Sequence, residues 1–125
     1  MKESKLWFLH VLAGGCLVVL LGIHTLIMHY DTVLVWLNLS SGNPLSFGSV
    51  LHRMQALSHT VIYMLLLLVG LYHGLYGLRS MIWEINFPTR GKQAVSYLLI
   101  LVGLVAAAWG SYTILKGHFA PPMGG

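Results

Sequence analysis

Charge is scarce in this sequence. Only 8% of its 125 residues are charged, 57% are hydrophobic, and the mean hydropathy is +0.77. A soluble domain carries about 25% charged residues, so this chain lacks the polar surface that a water-soluble globule needs. Its seven basic and three acidic residues give a net charge of +4. In a membrane protein that excess indicates orientation and lipid contact, and we expect no nucleic-acid partner.

Cysteine is almost absent as well. The single Cys16 lies in an apolar run, where we interpret it as a small core residue. One cysteine excludes an internal disulfide and a CxxCH attachment site for c-type haem. It also excludes a Cys/His tetrad of the structural zinc type. The apolar runs lack the Glu-x-x-His pairs that di-iron bundles use.

Three long runs contain no Asp, Glu, Lys or Arg: residues 6–28, 54–78 and 93–115. Each meets the roughly 20 residues that a membrane-spanning helix needs. The first run exceeds the apolar core of a signal peptide, about 7–15 residues, so we interpret it as a retained helix. The sequence therefore predicts an all-α membrane protein in which residues 1–125 form a single transmembrane anchor domain. The three transmembrane helices are expected at about residues 6–29, 50–83 and 92–115.

The connections and the positive charges predict the topology. Residues 30–49 are rich in Asn, Ser, Gly and Pro and predict a loop, with a short interfacial piece at 32–37. Pro88 and Gly91 mark the second connection. A cytoplasmic N-terminus follows from the positive-inside rule, because five Lys or Arg side chains fall on one side and two on the other: Lys2, Lys5, Arg79, Arg90 and Lys92 against Arg53 and Lys116. The start is not Arg- and Ser-rich like a mitochondrial transit peptide, and we expect a multi-pass protein of a prokaryotic inner (plasma) membrane.

A histidine with glycine neighbours stands inside the second apolar run. Gly70, His73 and Gly77 are three and four residues apart and share one helix face. An imidazole on a face stripped of side chains suits a flat cofactor such as haem. A histidine at membrane depth is costly without a partner, so a functional role is the first hypothesis. The alternative is a histidine hydrogen-bonded across a helix interface.

The seven histidines show a regular spacing. His10 and His24 are fourteen residues apart, and so are His59 and His73. Fourteen residues return to nearly the same helix face, about 21 Å further along the axis. In antiparallel helices His10 lies level with His73, and His24 level with His59, which could hold two haems with bis-histidine ligation. Coincidence remains the alternative. The seven-residue spacing of Gly103, Gly110 and Gly117 predicts close helix packing.

One segment carries a family resemblance: His73-x-x-x-Gly77-Leu78-Arg79, followed by the acid Glu84. The first apolar run adds Trp7 and Gly14, then Gly22-Ile23-His24 and His29-Tyr30. The chain resembles the small cytochrome b membrane-anchor subunits of succinate dehydrogenase and fumarate reductase. The resemblance implies half of a heterodimeric haem-binding helical bundle, paired with a second anchor subunit below an iron–sulfur subunit and a flavoprotein subunit.

The resemblance also implies ligands. It implies one or two haems b, with His73 as axial ligand of the inner haem and His24 of the outer one, and each second ligand from the partner anchor. Gly70 and Gly77 would lie beside the haem; His10, His59 and His29 are secondary candidates. From its planar donor fork we expect Arg79 to contact a haem propionate or to line the surface for the iron–sulfur subunit.

Quinone binding is less well supported by the residues. Trp83 and Glu84 are the candidates for contact with menaquinone or ubiquinone. Many relatives carry a tyrosine where Ile85 stands, and an arginine and a serine near Val11 and Ala13. These departures favour a quinone site on the partner chain or on the outer side.

The expected function is electron transfer between iron–sulfur clusters and membrane quinone. The chain has no flavin or iron–sulfur motif, so it would be a non-catalytic subunit of an oxidoreductase complex. One alternative is a cytochrome b subunit of another membrane dehydrogenase or hydrogenase. The other is a non-redox structural subunit whose histidines only make interhelical hydrogen bonds.

Overall fold

The computed structural model describes residues 2–39, 46–85 and 88–121, and within them the secondary structure is helical, with no strand. The helices are α1 (Lys2–Trp36), α2 (Phe47–Gln55), α3 (Leu57–Glu84) and α4 (Thr89–His118). In these ranges α1, α3 and α4 are long and apolar enough to cross a membrane. The prediction of an all-α protein with three transmembrane helices is confirmed.

Helix α1 is longer than expected. It begins at Lys2 and continues through Trp36, where a loop was predicted from residue 30. Residues 30–36 contain neither proline nor glycine, so no helix breaker ends the helix after Tyr30. Its 35 residues span about 52 Å, well beyond a hydrocarbon core of about 30 Å. Part of α1 therefore lies outside the hydrocarbon core or α1 is strongly tilted.

The predicted single helix over residues 50–83 is wrong in one respect. The chain is helical from Phe47, but Ala56 is extended (φ −71°, ψ 125°) and separates α2 from α3. The buried hydroxyl Oγ1 of Thr60 lies 2.8 Å from the Met54 carbonyl and 3.3 Å from the Ala56 carbonyl. The Met54 carbonyl lies in the last turn of α2, where the helix is interrupted, so the Thr60 hydroxyl compensates for a backbone hydrogen bond that the break removes.

The same threonine connects α2 and α3 to the end of α4. The Nδ1 atom of His118 lies 3.0 Å from Thr60 Oγ1. Nearby, the Gln55 side-chain amide donates to the Ala120 carbonyl at 2.9 Å. These contacts define one end of the molecule, here called the His118 end.

Thr60→Val is expected to lower the free energy of unfolding by about 1–2 kcal/mol. The substitution keeps the side-chain shape but removes the 2.8 Å bond to the Met54 carbonyl and the 3.0 Å contact with His118 Nδ1. Only the longer contact of 3.4 Å between that carbonyl and His118 Nδ1 remains. Thermal unfolding in detergent, followed by circular dichroism, measures the change. Thr113→Val is the matched control, because that exposed hydroxyl bonds only to Trp109 of its own helix. Equal losses in both variants would contradict the role assigned to Thr60.

The three long helices form an open row. Helix α3 lies in the middle and contacts both α1 and α4, whereas α1 and α4 do not contact each other within the described ranges. Among those residues Ala13 is the only buried hydrophobic one and Thr60 the only buried polar one. A row of three helices encloses no core, so its broad apolar faces need lipid or further helices to cover them.

Glycines let α4 approach its neighbours closely. A Cβ atom on Gly103 would lie 2.6 Å from Leu75 Cδ1, and one on Gly110 would lie 2.7 Å from Leu67 Cδ2. Each glycine therefore receives one leucine side chain of α3. The predicted packing role of this glycine stripe is confirmed.

Candidate functional site

His10 of α1 and His73 of α3 lie face to face. Their ring centroids are 4.2 Å apart and the planes differ by 7°. His73 Nδ1 lies 3.1 Å from the backbone carbonyl oxygen of His10. A carbonyl can only accept, so Nδ1 donates a proton and the neutral ring leaves Nε2 with a free lone pair. That arrangement is the usual one for a metal-ligating histidine held by a backbone carbonyl.

Two glycines make room for this pair. A Cβ atom on Gly14 would lie 3.0 Å from His73 Cε1, and one on Gly77 would lie 3.2 Å from His10 Cε1. His10 and Gly14 are four residues apart on α1, as His73 and Gly77 are on α3. The two His-x-x-x-Gly segments thus pack reciprocally across antiparallel helices. We name them the paired His-Gly motif.

The glycine face of α3 therefore has a different use from the one expected. Gly77 faces His10, and a Cβ on Gly70 would lie 3.9 Å from Leu17 Cδ2 of α1. The face is packed against α1 and does not provide an open surface for a flat cofactor. Gly14 was not identified as a site residue from the sequence, although the repeated His-x-x-x-Gly spacing was there to find it.

His10 carries an unpaired buried atom. Its Nδ1 is buried and has no hydrogen-bond partner in the described part of the chain. Its ring lies 5.1 Å from that of Tyr76. The neighbouring Tyr72 hydroxyl is occupied, because it donates to the Leu6 carbonyl at 2.9 Å. An orphaned buried nitrogen costs about 1–3 kcal/mol, so this atom suits a polar group of a bound ligand.

Of the stacked histidines His10 and His73, one can ligate a haem iron, but the two cannot ligate the same iron. Axial imidazoles of one haem stand on opposite faces of the macrocycle. Rings stacked in parallel at 4.2 Å leave no space for a macrocycle between them. The within-chain pairing of His10 with His73 as two ligands of one haem is therefore wrong for this geometry. Of the two rings, His73 has its Nδ1 held by a backbone carbonyl, so its Nε2 is the atom that fits a haem iron.

The other two histidines that the sequence places level with each other, His24 and His59, have different surroundings. Tyr63 lies against both His24 and His59, with ring-centroid distances of 5.6 Å and 6.4 Å. These two histidines make no ring contact with each other in the described residues, and Tyr63 contacts both. His29 is exposed on the later part of α1, in a groove with Tyr30. The described ranges contain no cluster of three or more His, Cys, Asp or Glu that could hold a metal ion.

Arg79 lies at the end of the molecule opposite His118, here called the Glu3 end. Its Nη1 is 3.5 Å from Glu3 and its Nε donates to Ser96 at 3.3 Å. Its guanidinium carbon lies 4.6 Å from the centre of the Trp83 ring. Arg79 pairs with Glu3, and Glu84 is exposed. Glu3 and Ser96 were missed because they come close only through helix packing.

Comparison with known proteins decides the family. The family model described as succinate dehydrogenase/fumarate reductase transmembrane subunit matches residues 2–110. The chain belongs to this family. It is 27% identical over 114 residues to the succinate dehydrogenase hydrophobic membrane anchor subunit of Archaeoglobus fulgidus, covering 91% of this chain and 90% of that protein. No solved structure matches the chain.

Family membership and the three apolar helices make this chain a multi-pass membrane anchor subunit. It implies further subunits, because an anchor of this family serves a larger complex. The predicted resemblance to the succinate dehydrogenase and fumarate reductase anchors is confirmed. The paired His-Gly motif, residues 10–14 and 73–77, lies inside the matched range.

Proposed function

We propose that this anchor binds haem b and passes electrons between an iron–sulfur subunit and a membrane quinone, either menaquinone or ubiquinone. The observation that carries the proposal is the state of His73: Nδ1 is held by the His10 carbonyl and Nε2 is free. The family to which the chain belongs supports the same role. It also favours this role over that of a cytochrome b subunit of an unrelated dehydrogenase or hydrogenase.

The residues of this chain would act as follows. His73 supplies one axial nitrogen, and its Nδ1–H bond to the His10 carbonyl fixes the ring and raises its basicity. His10 covers one face of that ring. Haem b, when bound, supplies reversible one-electron chemistry at its iron. The second axial nitrogen comes from a partner anchor, which would also cover one open face of the helix row.

The remaining assignments are part of the same proposal. His24 is the proposed ligand of a second haem, with His59 and His29 as weaker candidates. Arg79 keeps its proposed contact with a propionate or with the iron–sulfur subunit, and Trp83 and Glu84 remain candidates for quinone. We place the N-terminus in the cytoplasm and the protein in a prokaryotic inner membrane, with a flavoprotein subunit in the complex.

The second candidate function is a structural anchor without haem. The stacking of His10 on His73 favours it, because a stacked pair can hold two helices together without any ligand. A reduced-minus-oxidised absorption spectrum of the purified complex separates the two functions. We expect a b-type spectrum, and a complex with no haem absorption would contradict the proposal. Pyridine haemochrome analysis gives the count; one haem per complex would exclude the role of His24.

Gly14→Ala is expected to weaken haem binding about threefold to tenfold and to shift the haem absorption bands. A new Cβ 3.0 Å from His73 Cε1 must displace a ring that is also stacked on His10. An outer-shell change of this kind typically costs about tenfold or more in metal affinity. Gly15→Ala is the matched control, because nothing lies within 4 Å of its Cβ position. Identical spectra in the two variants would show that Gly14 does not position His73.

A further inference from the structure

A cleft lies between α3 and α4, on the side of α3 away from His73. It has a volume of about 350 Å³ and is lined almost wholly by aliphatic and aromatic side chains, such as Leu68, Leu75 and Leu104. Its polar lining is concentrated at the Glu3 end, where Arg79 and Ser96 contribute to the wall. A long apolar channel with a cation at one end has the chemistry of an amphiphile site.

The length of the cleft matches one leaflet of a bilayer. On α3 it extends from Leu68 to Arg79, and on α4 from Ser96 to Ala107. Each pair of residues is about 16 Å apart along its helix axis, against about 15 Å for half of a hydrocarbon core. Hydrocarbon side chains line the cleft over this length, so it suits an extended hydrocarbon chain.

The polar end presents donors to an anion. Arg79 uses Nε for Ser96 and Nη1 for Glu3, and its Nη2 has no partner in the described part of the chain. The Glu3 contact is long, and the Glu3 side chain is 72% exposed, so it neutralises the guanidinium only weakly. The Lys92 ammonium lies 6.0 Å from the centre of the Trp83 ring. It donates a hydrogen bond to the backbone carbonyl oxygen of Trp83 at 2.9 Å. Two cations and a tryptophan mark a membrane interface.

We propose that this cleft binds one membrane phospholipid from the leaflet at the Glu3 end. One hydrocarbon chain lies along the cleft, and the headgroup phosphate accepts hydrogen bonds from the Arg79 guanidinium, whose planar fork suits phosphate. A neutral quinone headgroup would not use that charge. His73 faces α1, whereas the cleft lies on the α4 side of α3. Arg79 is the residue that this site would share with the proposed propionate contact.

Two pairs of variants of the full chain test the site. Each protein is purified in detergent and delipidated. Phosphatidylglycerol is then titrated in, and native mass spectrometry measures the bound lipid. Arg79→Gln is expected to weaken phosphatidylglycerol binding by about tenfold or more, the usual loss for a hydrogen bond to a charged group. Arg90→Gln, an exposed arginine outside the cleft, is its control and is expected to stay within about twofold. Equal losses in both would show a general charge effect and overturn the site.

The second pair tests the hydrocarbon chain. Ala107 lines the cleft, and its neighbour Ala108 is exposed and does not line it. Ala107→Phe is expected to abolish the tight phosphatidylglycerol adduct, and Ala108→Phe to retain it. If Ala107→Phe does not yield a helical, monodisperse protein, Ala107→Leu replaces it. Retained lipid binding in the Ala107 variant overturns the proposal. A variant of the cleft that loses quinone reduction or haem but keeps its lipid overturns it as well.

Discussion

Replacing His73 with alanine is expected to remove haem from the purified complex while the three transmembrane helices remain. The ring is the proposed haem ligand of the paired His-Gly motif, and its Nδ1 is already committed to the His10 carbonyl. The His10 ring is on the other helix, with its centroid 4.2 Å away, so it does not occupy the position of His73. Haem content per protein, from the pyridine haemochrome spectrum, measures the effect.

His52→Ala is the control for this prediction. His52 is exposed on α2, at the other end of the molecule from the motif, so its loss should leave the spectrum unchanged. Circular dichroism of both variants checks that helix content is retained. A His73→Ala complex with an unaltered haem spectrum would show that another chain supplies both axial ligands, and the proposed function of this chain would then be wrong.

The three membrane-spanning helices were predictable because composition alone determines them. Runs of more than 20 residues without a charge have no alternative to a helix in hydrocarbon, where each backbone polar group must be satisfied internally. The break at Ala56 was not predictable in the same way. Residues 49–56 contain no proline or glycine, and the break is stabilised by Thr60 and His118, which are 58 residues apart in sequence.

The histidines show where helical geometry is informative and where it fails. Depth along antiparallel helices correctly brought His10 level with His73, because axial rise is nearly constant. The same argument did not indicate that the ring of Tyr63 contacts both His24 and His59. Depth says nothing about which side chain occupies the space between two helices; that depends on the angle at which they cross.

The contacts of Arg79 illustrate the same limit. Helical spacing correctly indicated that Arg79 lies away from the His73 face, toward the end of the helix. Its partners Glu3 and Ser96 belong to α1 and α4, and no pattern in the sequence links them. The row arrangement, with α3 between the other two helices, brings them to the same arginine.

Replacing His10 with phenylalanine is expected to stabilise the haem-free protein and to weaken haem binding. Phenylalanine keeps an aromatic ring against His73, while the backbone carbonyl that holds His73 is unchanged. It removes the buried Nδ1 atom, which has no partner in the described residues, and an unsatisfied buried polar atom costs about 1–3 kcal/mol. His10 Nδ1 would offset this cost by pairing with a polar group of the bound cofactor.

The two effects of His10→Phe have opposite signs, and this makes the prediction sharp. Unfolding of the haem-free protein should require about 1 kcal/mol more free energy, whereas haem affinity should fall by about tenfold. His10→Ala provides the comparison: it also loses the aromatic stacking, about 0.5–1.5 kcal/mol, so both stability and haem affinity should decrease. Haem titration of the delipidated protein and thermal unfolding measure the two quantities separately. Wild-type haem affinity in His10→Phe would mean that only the ring of His10, and not its nitrogen, supports His73.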